Sequence, residues 1–105
     1  MKFLSTFKIT KGFDTWLAMY KDIEPDLNEL GIKILWAGTN NDETKVYDVT
    51  EVKDPSKFEV LTQRTDITQK RANAGVELES QKFQPCTPIA ANCDWLKLNT
   101  VISLA

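Results

Sequence analysis

The chain has 105 residues, 42% of them apolar and 27% charged, with a formal net charge of −2. That is one domain's worth of sequence, able to bury a single core without staples, in the balance of a globular rather than a disordered protein. Lysine and arginine are spread along the chain, so no basic face points to nucleic acid; no run approaches the ~20 apolar residues of a membrane span; and the absence of histidine removes the commonest general base and metal ligand, a Ser-His-Asp triad and a His-ligated haem.

Phe3, Phe7 and Ile9 fall on one parity, with Leu4, Thr6 and Lys8 on the other, which predicts a strand with one strongly apolar face. The first eight residues lack the sustained apolar run of a signal peptide, so the expected location is the cytoplasm. Lys11-Gly12 reads as a turn and Asp14 as an acidic helix start. Phe13, Trp16, Leu17 and Tyr20 recur at helical spacing, continuing to Leu27 and Leu30. Pro25 predicts a kink or short break near Ile23 and Glu24, and Gly31 closes the helix.

Ile32 to Ala37 predicts a second strand, with Ile32, Ile34 and Trp36 on one face and Leu35 and Ala37 on the other. Residues 38–43 carry turn chemistry, and Lys45 to Val52 is the third strand, paired with the second as a hairpin. Asp54-Pro55 starts a helical region whose apolar face is Phe58 and Leu61. Thr65-Asp66 is a second start, and that helix runs through Ile67 to Ala74 and stops at Gly75. Lys70 and Arg71 in its last turn read as complements to the helix C-terminus rather than as a phosphate site. Ser80 to Gln84 is the fourth strand, ended by Pro85.

The resulting βαββαβ order is that of a ferredoxin-like α+β sandwich over residues 1–85, with a four-stranded antiparallel sheet and the first and third strands central. Residues 86–105 form a C-terminal extension. Within it Leu96, Leu98, Ile102 and Leu104 are in phase for one more strand. That strand adds to a sheet edge, lies across a dimer, or covers its own sheet face. Apolar residues occupy both strand parities: Leu4 beside Phe3, Leu35 beside Ile34, Tyr47 and Val49 beside Val46. Helices cover one face only, so the other calls for a second copy of the chain, a homodimer. Cys86 and Cys93 read as free thiols of a reducing compartment, the alternative redox pair lacking Cys-x-x-Cys spacing.

Phe13-Asp14-x-Trp16 opens the first helix, Pro25 lies late in it, and Gly31-Ile32 leads into the second strand. Val49-x-Glu51-Val52 precedes Asp54-Pro55, and Ala74-Gly75-Val76 precedes the fourth strand. Over residues 3–85 this pattern resembles the dimeric α/β-barrel superfamily, which includes cofactor-independent antibiotic-biosynthesis-type monooxygenases and stress-responsive barrel proteins. More narrowly, it is similar to a family of small uncharacterised proteins of marine cyanobacteria. The resemblance implies a dimeric barrel, and no cofactor is expected. Haem-degrading relatives use a histidine that this chain lacks. Quinone-forming relatives use an asparagine with tryptophans; Asn40, Trp16 and Trp36 are present here, but Asn40 falls in a hairpin loop at no matching position.

Trp16, Tyr20, Trp36 and Tyr47 are candidates to line a ligand pocket between helices and sheet; the alternative is an aromatic core. Asp48 falls mid-way along a central strand, where carboxylates are rare unless paired. It is either a general base with a raised pKa beside a small organic substrate or a structural carboxylate, with Lys8 as a candidate partner. Asp22, Asp26 and Glu29 share a helix face and residues 40–43 are oxygen-rich, but EF-hand spacing is absent, so a solvated acidic face is expected rather than a metal site. The four glycines are scattered and form no phosphate-cradling loop. Three functions follow: a ligand-binding, stress-related or structural dimeric barrel; a cofactor-independent monooxygenase on a small aromatic or polyketide-like molecule; or a scaffold that docks through its tail.

Overall fold

The computed structural model describes residues 1–86; the strand expected within 95–104 and Cys93 lie outside the described residues. The order is β1 (Lys2–Ile9), α1 (Phe13–Glu29), β2 (Ile32–Thr39), β3 (Lys45–Val52), α2 (Lys57–Gln63), α3 (Thr65–Asn73) and β4 (Val76–Cys86). The four strands form one antiparallel sheet in the order β2-β3-β1-β4. This is the ferredoxin-like arrangement, with the second crossover made of two short helices. No helix among the described residues is long and apolar enough to cross a membrane.

The central strands alternate cleanly. Phe3, Ser5, Phe7 and Ile9 of β1 face inward, as do Val46, Asp48, Thr50 and Val52 of β3. Phe3 stands opposite Thr50, Ser5 opposite Asp48 and Phe7 opposite Val46. Three polar side chains therefore sit in the middle of an otherwise apolar sheet face.

Helix α1 covers that face with Trp16, Tyr20, Ile23 and Leu27, one stripe at i, i+4, i+7, i+11. The break expected at Pro25 does not occur, and the helix runs through it. Pro25 and Lys21, whose carbonyl loses its i+4 donor there, are both exposed, so water can replace the missing bond. The helix start is capped from a distance. Gly12, at φ 83°, has no side chain to offer, and Glu43 of the β2–β3 loop accepts the Phe13 N–H at 2.8 Å. The loop is held in shape by Asn40, whose Oδ1 accepts the N–H groups of Thr44 and Lys45 at 2.9 and 3.1 Å.

Two irregularities shape the sheet. In β2, Ile34 stands opposite Thr50 and Trp36 opposite Val49, so Leu35 is an extra residue and the facing of the strand changes there. In β4, Glu77 pairs with Lys8 and Lys82 with Thr6, so residues 78–81 stand opposite Phe7 alone. Strand β4 is also longer than expected at both ends. It starts directly after Gly75 and is not stopped by Pro85, which lies opposite Phe3. It borders the sheet, where a residue without an N–H is tolerated.

Helix α3 buries Ile67 against the sheet, whereas α2 buries no residue. On the far face of the sheet Leu4 and Trp36 are exposed and Val49 and Tyr47 half-buried. Gly75 takes φ 92°, and a Cβ there would stand 2.8 Å from Thr10 Oγ1 and 3.0 Å from the Lys11 nitrogen. Gly75→Ala is expected to cost more than about 1 kcal/mol, read as a lower urea midpoint at unchanged slope; an unchanged midpoint would show that the turn relaxes freely.

Candidate functional site

The inner sheet face and the helices enclose a cavity of about 80 Å³. Trp16 and Tyr20 line it from α1, Asp48 and Thr50 from β3, Ser5 from β1, Arg71 from α3 and Gln81 from β4, with Met19, Ile23, Leu27 and Ile34 among the apolar walls. A larger cleft of about 580 Å³ lies between α2, α3 and β4. The two share Phe58, Leu61, Ile67, Arg71, Gln81 and Phe83. Phe58 packs edge-on against Phe3 at 5.1 Å and tilted against Phe83 at 5.2 Å, and with Phe83 forms part of this common wall.

The polar side chains are ordered by charge. Arg71 Nη2 donates to Gln81 Oε1 at 2.6 Å, and Gln81 Nε2 donates to Ser5 Oγ at 3.1 Å. Ser5 lies directly across the strand pair from Asp48. Thr50 Oγ1 donates to Asp48 Oδ1 at 2.6 Å. No ion pair within 4.0 Å joins Arg71 to Asp48 among the described residues, so a neutral amide and a hydroxyl stand between cation and anion. The guanidinium lies over the Phe7 ring, 5.4 Å from its centre, a cation–π contact that fixes its orientation.

Asp48 is 3% exposed. Burial pushes its carboxyl up to about 6, opposed by the Thr50 hydroxyl, the charge of Arg71 and the Ser5 hydroxyl. Burial pulls Arg71 down, opposed by the charge of Asp48. The Tyr20 phenol is raised by burial first, then by its hydrogen bond to Glu24 and by the charges of Glu24 and Asp48. Trp16 and Tyr20 stack nearly parallel, 5.6 Å apart and 6° from coplanar, and Phe13 and Phe7 pack against Trp16 at 5.5 and 5.8 Å.

The structure thus brings Trp16, Tyr20 and Asp48 to one cavity and places Trp36 and Tyr47 elsewhere, a correction to the expected pocket. The extra residue Leu35 turns Trp36 to the far face, where it is 58% exposed. Its indole lies over Gly38, two ring carbons only 2.8 Å from where a Cβ would be. Tyr47 precedes Asp48 and so points the other way, under the Lys45 ammonium at 5.3 Å. Lys8 is not the partner of Asp48: it pairs across from Lys45 on the far face. Two carboxylates of the acidic face of α1 are matched, Asp22 with Lys70 of α3 at 2.9 Å and Asp26 with Arg64, just before α3, at 3.4 Å. Asn40 is occupied in its own loop.

Sequence reasoning missed Arg71, Gln81, Ser5 and Thr50. Ser5 and Thr50 were visible as polar residues on the inward parity of apolar strands. Arg71 lies four residues after Ile67, on the same helical face, which was also a readable sign. Gln81 reaches the site only through the irregularity in β4.

The sequence matches no protein-family model and no curated protein. Solved structures do match. An uncharacterised NIPSNAP-domain protein of Burkholderia xenovorans is 17% identical, with TM-score 0.56, over 87% of this chain and 98% of that one. A protein of Agrobacterium tumefaciens is 12% identical, with TM-score 0.58, over the same shares of both chains. The chain shares the fold of a NIPSNAP-domain protein. At these identities the likeness concerns the fold alone.

Folded Asp48 keeps its proton up to about pH 6, while the ordinary aspartate value is 3.8. Between the two the native state binds more protons than the unfolded chain, so this group makes stability fall as pH rises from about 4 to about 6 and leaves it lower above. Asp48→Asn is expected to remove that fall and to be more stable than the parent by about 2 kcal/mol at neutral pH. Urea unfolding of both proteins across this range checks it, and parallel stability curves would contradict it.

Proposed function

We propose that this chain is a small-molecule-binding protein of the dimeric α/β-barrel type. Its ligand occupies the cavity between helices and sheet, and a second copy covers the far sheet face. The observation that carries the binding reading is the Arg71–Gln81–Ser5 chain beside Asp48 in a cavity otherwise walled by apolar side chains. Charged groups taken out of water cost several kcal/mol each, and apolar residues of similar volume would hold helix to sheet at least as well. A few polar groups converging on an apolar hollow is the usual form of a small-molecule site.

The dimer is supported by the far face. Trp36, Val49 and Leu4 follow one another across β2, β3 and β1, with Tyr47 and Thr6 in the next row. Gly38 lets the indole lie close over the strand, and an exposed apolar row of this kind can meet its own copy about a two-fold axis. A stress-related role, as in the stress-responsive barrel proteins that the sequence resembles, or a structural one is compatible with binding at this site. Cofactor-independent oxygenation is the second reading, favoured by Trp16 and a half-ionisable Asp48 in one cavity. Among the described residues no asparagine lines that cavity, Asn40 being held in the hairpin loop.

Native mass spectrometry of gently purified protein is expected to show a dimer carrying a small additional mass, and Trp36→Glu a folded monomer. A parent protein that runs as a monomer overturns the dimer. A protein that is bare, and whose melting temperature no small organic compound raises, overturns the binding reading.

A further inference from the structure

Building on the cavity reading, we infer that the ligand is a small apolar molecule ending in a single carboxylate, and that Arg71 takes the carboxylate. Arg71 has five N–H donors in a planar fork. Among the described residues it makes one hydrogen bond, from Nη2 to Gln81 Oε1. The remaining donors belong to a group that lines both the inner cavity and the outer cleft, where a molecule arriving under α2 meets it. Contact with Phe7 and Gln81 holds the fork in place, so little freedom is lost when a planar two-oxygen acceptor binds it.

The surroundings select the rest of the molecule. Among the described residues no second cation lines either cavity: Lys70, next in sequence, pairs with Asp22 on the α1 side. A dianion such as a phosphate monoester would face one guanidinium and the Asp48 carboxylate together, which favours a monoanion. Trp16, Met19, Ile23, Leu27 and Ile34 leave the inner cavity apolar. Its volume suits a short chain or one ring, and the outer cleft can take the remainder.

The same geometry couples binding to protons. The groups facing Asp48 are Arg71 from α3, Tyr20 with its partner Glu24 from α1, Ser5 from β1 and Thr50 from β3. Arg71 is the only cation among them. An anion on Arg71 offsets that cation and repels the carboxylate, so Asp48 takes up a proton on binding. Affinity for the acid therefore falls as pH rises above the range in which Asp48 is protonated.

Calorimetric titration of the full chain with hexanoate and benzoate tests this against hexanamide, benzamide and hexylamine. The acids are expected to bind at least about tenfold more tightly than the amides, a difference of the size a charge-assisted bidentate contact supplies. Their affinity is expected to drop about tenfold between pH 6 and pH 8, and Asp48→Asn to flatten that drop. Arg71→Gln is expected to shrink the acid preference below about threefold. If that variant fails to fold, Arg71→Lys keeps the charge without the fork, and its acid preference is expected to fall in the same direction. Amides binding as well as acids, hexylamine binding best, or an undiminished acid preference in the folded Arg71 variant overturns the carboxylate assignment and leaves the cavity reading standing. Binding by none of the five overturns the carboxylate assignment, while the cavity reading stands or falls by the native mass spectrum and the melting temperatures.

Discussion

Asp48 sits in the middle of the sheet where water scarcely reaches it, and burying a carboxylate there costs several kcal/mol unless other groups offset it. The offsets come from every layer of the fold. Thr50 supplies a hydroxyl from the same strand, Ser5 faces it from the next, and Arg71 acts from the helix above through its charge. Gln81 ties the cation to Ser5 without letting it touch the carboxylate. The result is a carboxyl that ionises near neutrality rather than one locked as an anion. A direct ion pair would have pulled the pKa down and spent the guanidinium on Asp48.

The two departures from regular pairing decide what each face of the sheet presents. The extra residue at Leu35 turns Trp36 outward and leaves Ile34 lining the cavity. The irregularity at residues 78–81 brings Gln81 to Ser5 and Arg71, while Phe83 joins the wall between cavity and cleft. A perfectly regular sheet from the same residues would have placed an indole indoors and removed the amide from the polar chain. Such bulges are a common means of re-aiming side chains at a site.

The architecture was legible in the sequence because its signals are local. Alternation marked β1 and β3, helical spacing marked α1, and Gly31 and Gly75 marked the stops. Asp48 was legible too, as a carboxylate on a strand that ought to be buried. Trp36 was not placed correctly because the facing of a strand depends on its pairing, and nothing in Ile32–Ala37 announces an extra residue; Tyr47 was misplaced although the plain alternation of β3 sets it on the face opposite to Asp48. Pro25 does not break α1 because the cost of a missing hydrogen bond depends on whether water can replace it. The capping of Phe13 by Glu43 spans 30 positions and has no local signature. Arg71 was read by its place near the end of a helix, whereas its spacing from Ile67 is what turns it inward.

Sheet order has a consequence for how the chain reaches this state. Strand β1 is central, yet one of its neighbours is the last described strand, and Lys2 lies opposite Cys86. Until residues 76–86 are made and docked, β1 has an open edge, and Phe3 lacks the Phe58–Phe83 packing beside it. Closing a loop of that length is an entropic cost met before the β1–β4 contacts reward it. A chain still being synthesised can form the β2–β3 hairpin and the α1 stripe, but it carries an open β1 edge until β4 has emerged. The same topology that forms the cavity makes β1 depend on a strand more than 60 residues away in sequence.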